Sequence, residues 1–204
     1  MRGLYAITPD AASTESLLRM AGQALEGGLA LLQYRNKGAD AALRREQGLA
    51  LLALTRAKGV PLIINDDVSL AASIDADGVH VGRDDGGVAA ARRELPGKRV
   101  GASCYASLEA ARSAVRDGAD HVAFGSIFTS STKPGATRAS LELFAAARDL
   151  GVPLVAIGGI TLENAGLVVG AGADCLAVIS DLFGAPDIAA RALAYRSLFE
   201  KGIS

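Results

Sequence analysis

The sequence predicts an α/β fold, a single-domain (β/α)8 barrel with short loops spanning residues 1–204. Three observations point to it. Short apolar runs rich in branched residues alternate with longer Ala/Leu-rich stretches. About eight such units follow one another in about 200 residues with no linker, charge block or low-complexity segment, the density of a TIM barrel with few insertions. A short signature also recurs: Ala76-Asp77-Gly78, Gly118-Ala119-Asp120 and Gly172-Ala173-Asp174 each stand just before an apolar run. The Gly reads as a helix C-cap and the Asp as a turn residue leading into a strand.

In chain order the runs are Leu4–Ile7, Ala30–Gln33, Pro61–Ile64, Gly78–Val81, Arg99–Ala102, His121–Phe124, Pro153–Ile157 and Cys175–Ile179. In Asp40–Lys58, Leu43, Ala50, Leu51 and Leu54 share one helical face. In Pro186–Lys201, Ile188, Ala192, Tyr195 and Phe199 step by four, three and four, again an amphipathic helix. The competing architecture is a doubly wound open sheet. It needs fewer strands or longer connections, and no G-x-G-x-x-G follows Leu4–Ile7.

Composition narrows the function. Half the residues are apolar, yet only 4% are aromatic and there is no Trp, so the core is built of Ala, Val, Leu and Ile. A net charge of −1 gives no general field for nucleic acid or an anionic membrane, and any anion site is local. Cys104 and Cys175 lack metal-ligand spacing and read as small buried side chains in a reducing compartment. The N-terminal apolar stretch is too short for a signal peptide, and no run approaches the ~18 apolar residues of a membrane helix. The expectation is a soluble cytoplasmic protein acting on small molecules, with neither nucleic-acid nor membrane partners; a homo-oligomer stays open.

The functional signal is positional. Barrel sites form where strands end and βα loops begin. Here the second run leads into Gln33-Tyr34-Arg35-Asn36-Lys37, the third into Asn65-Asp66-Asp67 and the fourth into Gly82-Arg83-Asp84-Asp85. The fifth ends at Ser103, the sixth opens into Gly125–Lys133, the seventh into Gly158-Gly159 and the eighth at Ser180. Polar loop starts are common singly; together they would ring one mouth with cations, acids, hydroxyls and glycines.

Asp66 and Asp85, from successive units, offer hard oxygens suited to Mg²⁺, which takes one or two carboxylates and completes its shell with water and phosphate. The alternative is that both are N-caps or turn residues. Arg35 and Lys37, at alternate positions leaving a strand, would clamp a polyanion, unless they form a solvated basic turn. Gly158-Gly159 before a helix capped by Thr161 reads as a phosphate turn or as a plain tight turn. His80 ends a strand and can face the mouth; His121 begins one at the opposite face and reads as structural. No nucleophile elbow or Ser-His-Asp pattern is present.

Taken together, these motifs, with Gly101-Ala102-Ser103, Ile157-Gly158-Gly159-Ile160 and Val178-Ile179-Ser180, resemble in order and spacing those of the thiamine-phosphate synthase family across nearly the whole chain. The resemblance implies a transferase that condenses 4-amino-2-methyl-5-(diphosphooxymethyl)pyrimidine with 4-methyl-5-(2-phosphooxyethyl)thiazole, giving thiamine phosphate and pyrophosphate. It implies Mg²⁺ on Asp66 and Asp85. It implies that Gln33, Tyr34, Arg35, Asn36, Lys37, Asn65, Ser103 and Lys133 hold the pyrimidine diphosphate, with Arg35, Lys37, Ser103 and Lys133 catalytic. Ser130, Ser131, Thr132, Gly159, Ile179 and Ser180 would hold the thiazole phosphate.

The chain departs from the family pattern in Arg83 for Gln, Thr129-Ser130 for Pro-Thr and Tyr105 for His. The last bears on the same-fold thiazole tautomerases, expected to use a histidine there. Other readings are a sugar-phosphate isomerase, which should show a proton-transfer pair, and a non-catalytic binding barrel, which should have lost Lys37, Asp66, Asp85 or Lys133. All four residues are present.

Overall fold

The computed structural model describes residues 1–82, 85–129 and 138–200. Eight parallel strands close on themselves in sequence order, the first pairing with the last. They are β1 (Gly3–Ile7), β2 (Leu31–Tyr34), β3 (Leu62–Asn65), β4 (Gly78–Val81), β5 (Arg99–Tyr105), β6 (His121–Phe124), β7 (Leu154–Ile157) and β8 (Cys175–Val178). Around them lie α1 (Thr14–Gly27), α2 (Ala41–Ala57), α3 (Val68–Ser73), α4 (Gly87–Glu94), α5 (Leu108–Arg116), α6 (Glu142–Ala146), α7 (Leu162–Gly170), α8 (Ser180–Phe183) and α9 (Ile188–Glu200). The predicted barrel is the observed one.

Strand alternation divides the core in two. Tyr5, Ile7, Leu31, Ile63, Ala123, Val155, Cys175 and Ala177 fill the barrel interior. The outward-facing residues, Leu4, Leu32, Leu62, Val79, Val100 and Leu176 among them, pack beneath the helices. Cys104 and Cys175 are free and buried, as their isolation in the sequence predicts, and burial pushes both thiols up to about 12.

The recurring Asp does more than turn the chain. Asp77 accepts a hydrogen bond from the Leu62 N–H at 2.8 Å, Asp120 from Val100 at 2.7 Å and Asp174 from Leu154 at 2.9 Å. Each carboxylate, standing before an even-numbered strand, satisfies an amide in the first two residues of the strand preceding it. The repeat is a capping device for the floor of the barrel.

Two expectations are revised. β5 extends to Tyr105, beyond Ala102, because a register shift between Ser103 and Tyr105 lets Tyr105 pair with Phe124. In α2 the buried face is Gln47, Gly48, Leu51, Leu52 and Thr55, while Leu43, Ala50 and Leu54 are half-buried. Two polar residues on the inner face rotate it away from the purely apolar stripe. In α9 the predicted residues Ile188, Ala192, Tyr195 and Phe199 are all buried; Lys201 lies outside the described residues.

Candidate active site at the barrel mouth

Four polar side chains stand on the inner face of neighbouring strands at their C-terminal ends. Gln33 is buried and donates from Nε2 to the Tyr5 hydroxyl at 2.8 Å. Asn65 follows Ile63 on β3 and pairs in register with His80 of β4. His80 Nε2 lies 3.0 Å from Ser103 Oγ, and its Nδ1 lies 3.3 Å from Nε2 of His121. Burial presses the His80 pKa down to about 4, the nearby Asp85 charge opposing it, and holds that of His121 well below the usual range.

The β2 loop is braced by the β1 loop. Thr8 Oγ1 donates to the Arg35 carbonyl and accepts from its N–H, both at 2.9 Å. Asp10 accepts from Arg35 Nη1 at 2.9 Å and from the Lys37 N–H at 3.1 Å. The intervening residues point elsewhere. The Tyr34 hydroxyl and Asn36 Nδ2 both donate to Oε1 of buried Gln47, at 2.8 and 3.0 Å. Asn36 and Gln47 also donate to the Ala11 carbonyl. Tyr34 and Asn36 are therefore engaged in anchoring the loop to α2, and burial raises the Tyr34 phenol to about 12.

Asp66 and Asp85 come together. Asp67, not Asp66, caps α3, accepting from the Leu70 N–H at 2.8 Å. That leaves Asp66 outside any cap, in the left-handed region at φ 64°, a conformation Asp tolerates better than most residues. Its pKa is raised, first by burial and then by the charge of Asp85 and a hydrogen bond with it; Lys37 and Asn65 act in the opposite sense. Lys37 Nζ stands 4.0 Å from Asp66. Asp85 also closes its own turn, accepting from the Gly82 N–H at 2.7 Å. Among the described residues no group of three or more His, Cys, Asp or Glu gathers. A pair of carboxylates nonetheless meets the modest demand of Mg²⁺.

Gly158 and Gly159 have φ of 103° and 63°. A Cβ on Gly159 would collide with the Phe128 and Thr129 backbone, and one on Gly158 with Ser126. The glycines thus let the β7 turn lie directly against the loop after β6. Asn164 locks that turn, accepting from Thr161 N–H at 3.0 Å and donating to the Gly159 carbonyl at 2.9 Å. Thr161 is the N-cap of α7, as predicted. After β8, Ile179 precedes α8 and Ser180 opens it; the next residue, Asp181, accepts from Tyr195 Oη at 2.7 Å and Arg191 Nη1 at 2.9 Å. Arg83, Asp84 and the predicted residues Ser130, Ser131, Thr132 and Lys133 lie outside the described residues.

Sequence reasoning missed Asp10, Gln47 and Asp181, and did not foresee that His121 reaches His80. Among the described residues, two clefts bear on the reading of the site. The larger, about 600 Å³, is at the floor, where Asp77 and Asp120 cap strands and Arg92 pairs with Asp120. The other, about 410 Å³, includes Lys37, Asn65, Asp66 and Asp67 and opens beside the mouth. The second lies toward the C-terminal ends of the strands, the end at which barrel chemistry gathers.

A closed barrel whose C-terminal mouth carries two braced cations, a carboxylate pair and a glycine turn defines a TIM-barrel enzyme. The family model for thiamine monophosphate synthase matches residues 4–182. The chain is 55% identical over 202 residues to a thiamine-phosphate synthase of Aromatoleum aromaticum, covering 98% of this chain and 97% of that one. It is 56% identical over 200 residues to the enzyme so named of Methylobacillus flagellatus, covering 98% and 96%. A thiamine phosphate pyrophosphorylase structure from Pyrococcus furiosus superposes with a TM-score of 0.89 at 34% identity, covering 99% of this chain and 97% of that one. The chain belongs to the thiamine monophosphate synthase family, and it is an enzyme of the transferase class.

Proposed function

We infer that the mouth joins the pyrimidine diphosphate to the thiazole phosphate, making thiamine phosphate and releasing pyrophosphate. The observation that carries this reading is the meeting of Asp66 and Asp85 beside Lys37, within one strand of the Arg35 loop. Breaking the C–O bond of the pyrimidinylmethyl diphosphate leaves a carbocation stabilised by the ring amino group; the thiazole nitrogen then forms the new C–N bond. Such a reaction asks the protein for leaving-group stabilisation and alignment rather than for proton transfer. The neutral, buried histidines accord with that demand.

Arg35 and Lys37 take the diphosphate, Arg35 presenting the guanidinium edge that Asp10 leaves open. Gln33, Asn65 and Ser103 orient the pyrimidine and its diphosphate from the barrel interior, and Lys133 joins them from the β6 loop. Gly159, Ile179 and Ser180, with Ser130, Ser131 and Thr132, hold the thiazole phosphate through N–H and hydroxyl groups. Tyr34 and Asn36 act one step back, by fixing the loop that carries Arg35 and Lys37.

The carboxylate pair fits Mg²⁺: the two acids crowd each other, and a divalent cation relieves that repulsion. Asp66 and Asp85 would hold it, and when bound it supplies charge to the departing pyrophosphate. Residues 1–204 act as one catalytic domain. No helix among the described residues is long and apolar enough to cross a membrane; the working compartment we propose is the cytoplasm.

The test mixes the protein with both heterocycles and follows both products with and without Mg²⁺. Equimolar thiamine phosphate and pyrophosphate, formed only with Mg²⁺, is the expected result. Binding of thiazole phosphate without product would overturn it.

A further inference from the structure

The interior of this barrel holds a polar column where branched apolar side chains are the norm. It begins at His121, on the floor at the start of β6 and 1% exposed, and passes to His80 and then to Ser103 near the mouth. Gly101 makes room for it. A Cβ on Gly101 would collide with both imidazoles, so the pair exists because β5 has no side chain there. Tyr5 meets the His121 ring edge-on, with centroids 5.8 Å apart, and holds it from the other side.

We propose that His121 is a positioning residue that acts through His80 to orient the Ser103 hydroxyl. The proposal rests on the reading that Ser103 faces the pyrimidine diphosphate.

Two neutral imidazoles in contact share one proton between Nδ1 of His80 and Nε2 of His121, so their tautomers are linked. If His121 donates, His80 carries its proton on Nε2 and donates to Ser103 Oγ. The serine then keeps its own hydrogen for the diphosphate oxygen in front of it. If His80 donates downward instead, Ser103 must donate into His80, and only its lone pairs would face a polyanion. The first arrangement suits an anionic substrate and the second opposes it. Burial keeps both rings neutral, and Arg99 and the N-terminal ammonium further disfavour an imidazolium at His121.

The test compares His121→Phe, which keeps the ring against Tyr5 but removes the donor, with His121→Gln, whose amide can still donate to His80. His121→Phe should lower kcat/KM for the pyrimidine diphosphate about tenfold, with the KM for thiazole phosphate unchanged, as loss of an outer-shell partner typically does. His121→Gln should restore activity to within about threefold of wild type. Equal losses in the two variants, or a loss shared by both substrates, would overturn the proposal. Nitrogen-15 NMR of the wild-type protein gives a reading independent of activity. His80 protonated on Nε2 is expected; His80 protonated on Nδ1 sinks the idea even if thiamine phosphate is made. Conversely, a wild-type protein that makes no thiamine phosphate but shows Nε2-protonated His80, with that bias lost in His121→Phe, overturns the functional reading and leaves the relay standing.

Discussion

The Asp10 carboxylate holds the Arg35 guanidinium at 2.9 Å and, with the same oxygen, the Lys37 N–H at 3.1 Å. One residue of the β1 loop therefore sets where both cations of the β2 loop stand. Asp10→Ala should free Arg35 and loosen the turn, raising the KM for the pyrimidine diphosphate by about tenfold to a hundredfold, the scale of a small misplacement. Thiazole phosphate binding should stay as it was. Steady-state kinetics with each substrate varied in turn checks this, and an unchanged pyrimidine KM would show that Asp10 does not position the clamp.

On the barrel floor, Asp120 accepts from the Val100 N–H and from Arg92, which also donates to the Lys98 and Gly118 carbonyls. Asp120→Ala orphans a strand amide and removes one of the acceptors of the Arg92 guanidinium, which keeps the Lys98 and Gly118 carbonyls. The expected loss is about 1–3 kcal/mol of stability, with activity of the folded fraction intact. Asp120→Asn keeps an acceptor and should lose less. Urea midpoints at unchanged m-value measure both.

How much of this was legible beforehand differs by residue. Eight strands follow from the branched runs and the repeated Asp. Alternation also contained more than was drawn from it. Gln33, Arg35 and Lys37 are two apart, so Tyr34 and Asn36 between them should leave the mouth, and they do, toward Gln47. Asp10 and Arg35 are 25 positions apart, and no local pattern reports that contact. The His80–His121 pair needs the missing side chain of Gly101 on the strand between them, which only the register reveals.

Acid should weaken the fold through those histidines. Their folded pKa values lie below the usual 6.5, at about 4 for His80 and well under 6.5 for His121. Below pH 6.5 the unfolded chain takes up protons that the folded protein refuses. Stability is thus full above that pH, declines as pH falls from 6.5 toward 4, and then levels for His80. The His80 share is on the order of 3 kcal/mol. Denaturation midpoints across pH 7 to 4 should fall, and fall less steeply in His121→Phe; parallel curves would assign the decline to other groups.

Asp66 and Asp85 crowd each other enough to raise the Asp66 pKa. Asp66→Ala should sharply weaken Mg²⁺-dependent turnover and raise the Mg²⁺ concentration it needs, because it leaves one carboxylate where a pair stood. The variant should still fold, since Asp67 rather than Asp66 caps α3. A near-normal rate with unchanged Mg²⁺ dependence would refute the metal assignment.

Gly159→Val tests the turn after β7. At φ 63° a branched residue is strained, and its Cβ would strike the Phe128 and Thr129 backbone. The side chain is therefore directed at the β6 loop, and either turn must shift to admit it. Thiazole phosphate affinity should fall at least about tenfold, the equivalent of 1.4 kcal/mol, and pyrimidine diphosphate binding should fall with it, because the displaced Phe128–Thr129 backbone leads in sequence to Lys133. Titration with each substrate separates the cases. Loss confined to the thiazole phosphate would mean that the two loops move independently, and unchanged affinity for both would place the phosphate away from this turn.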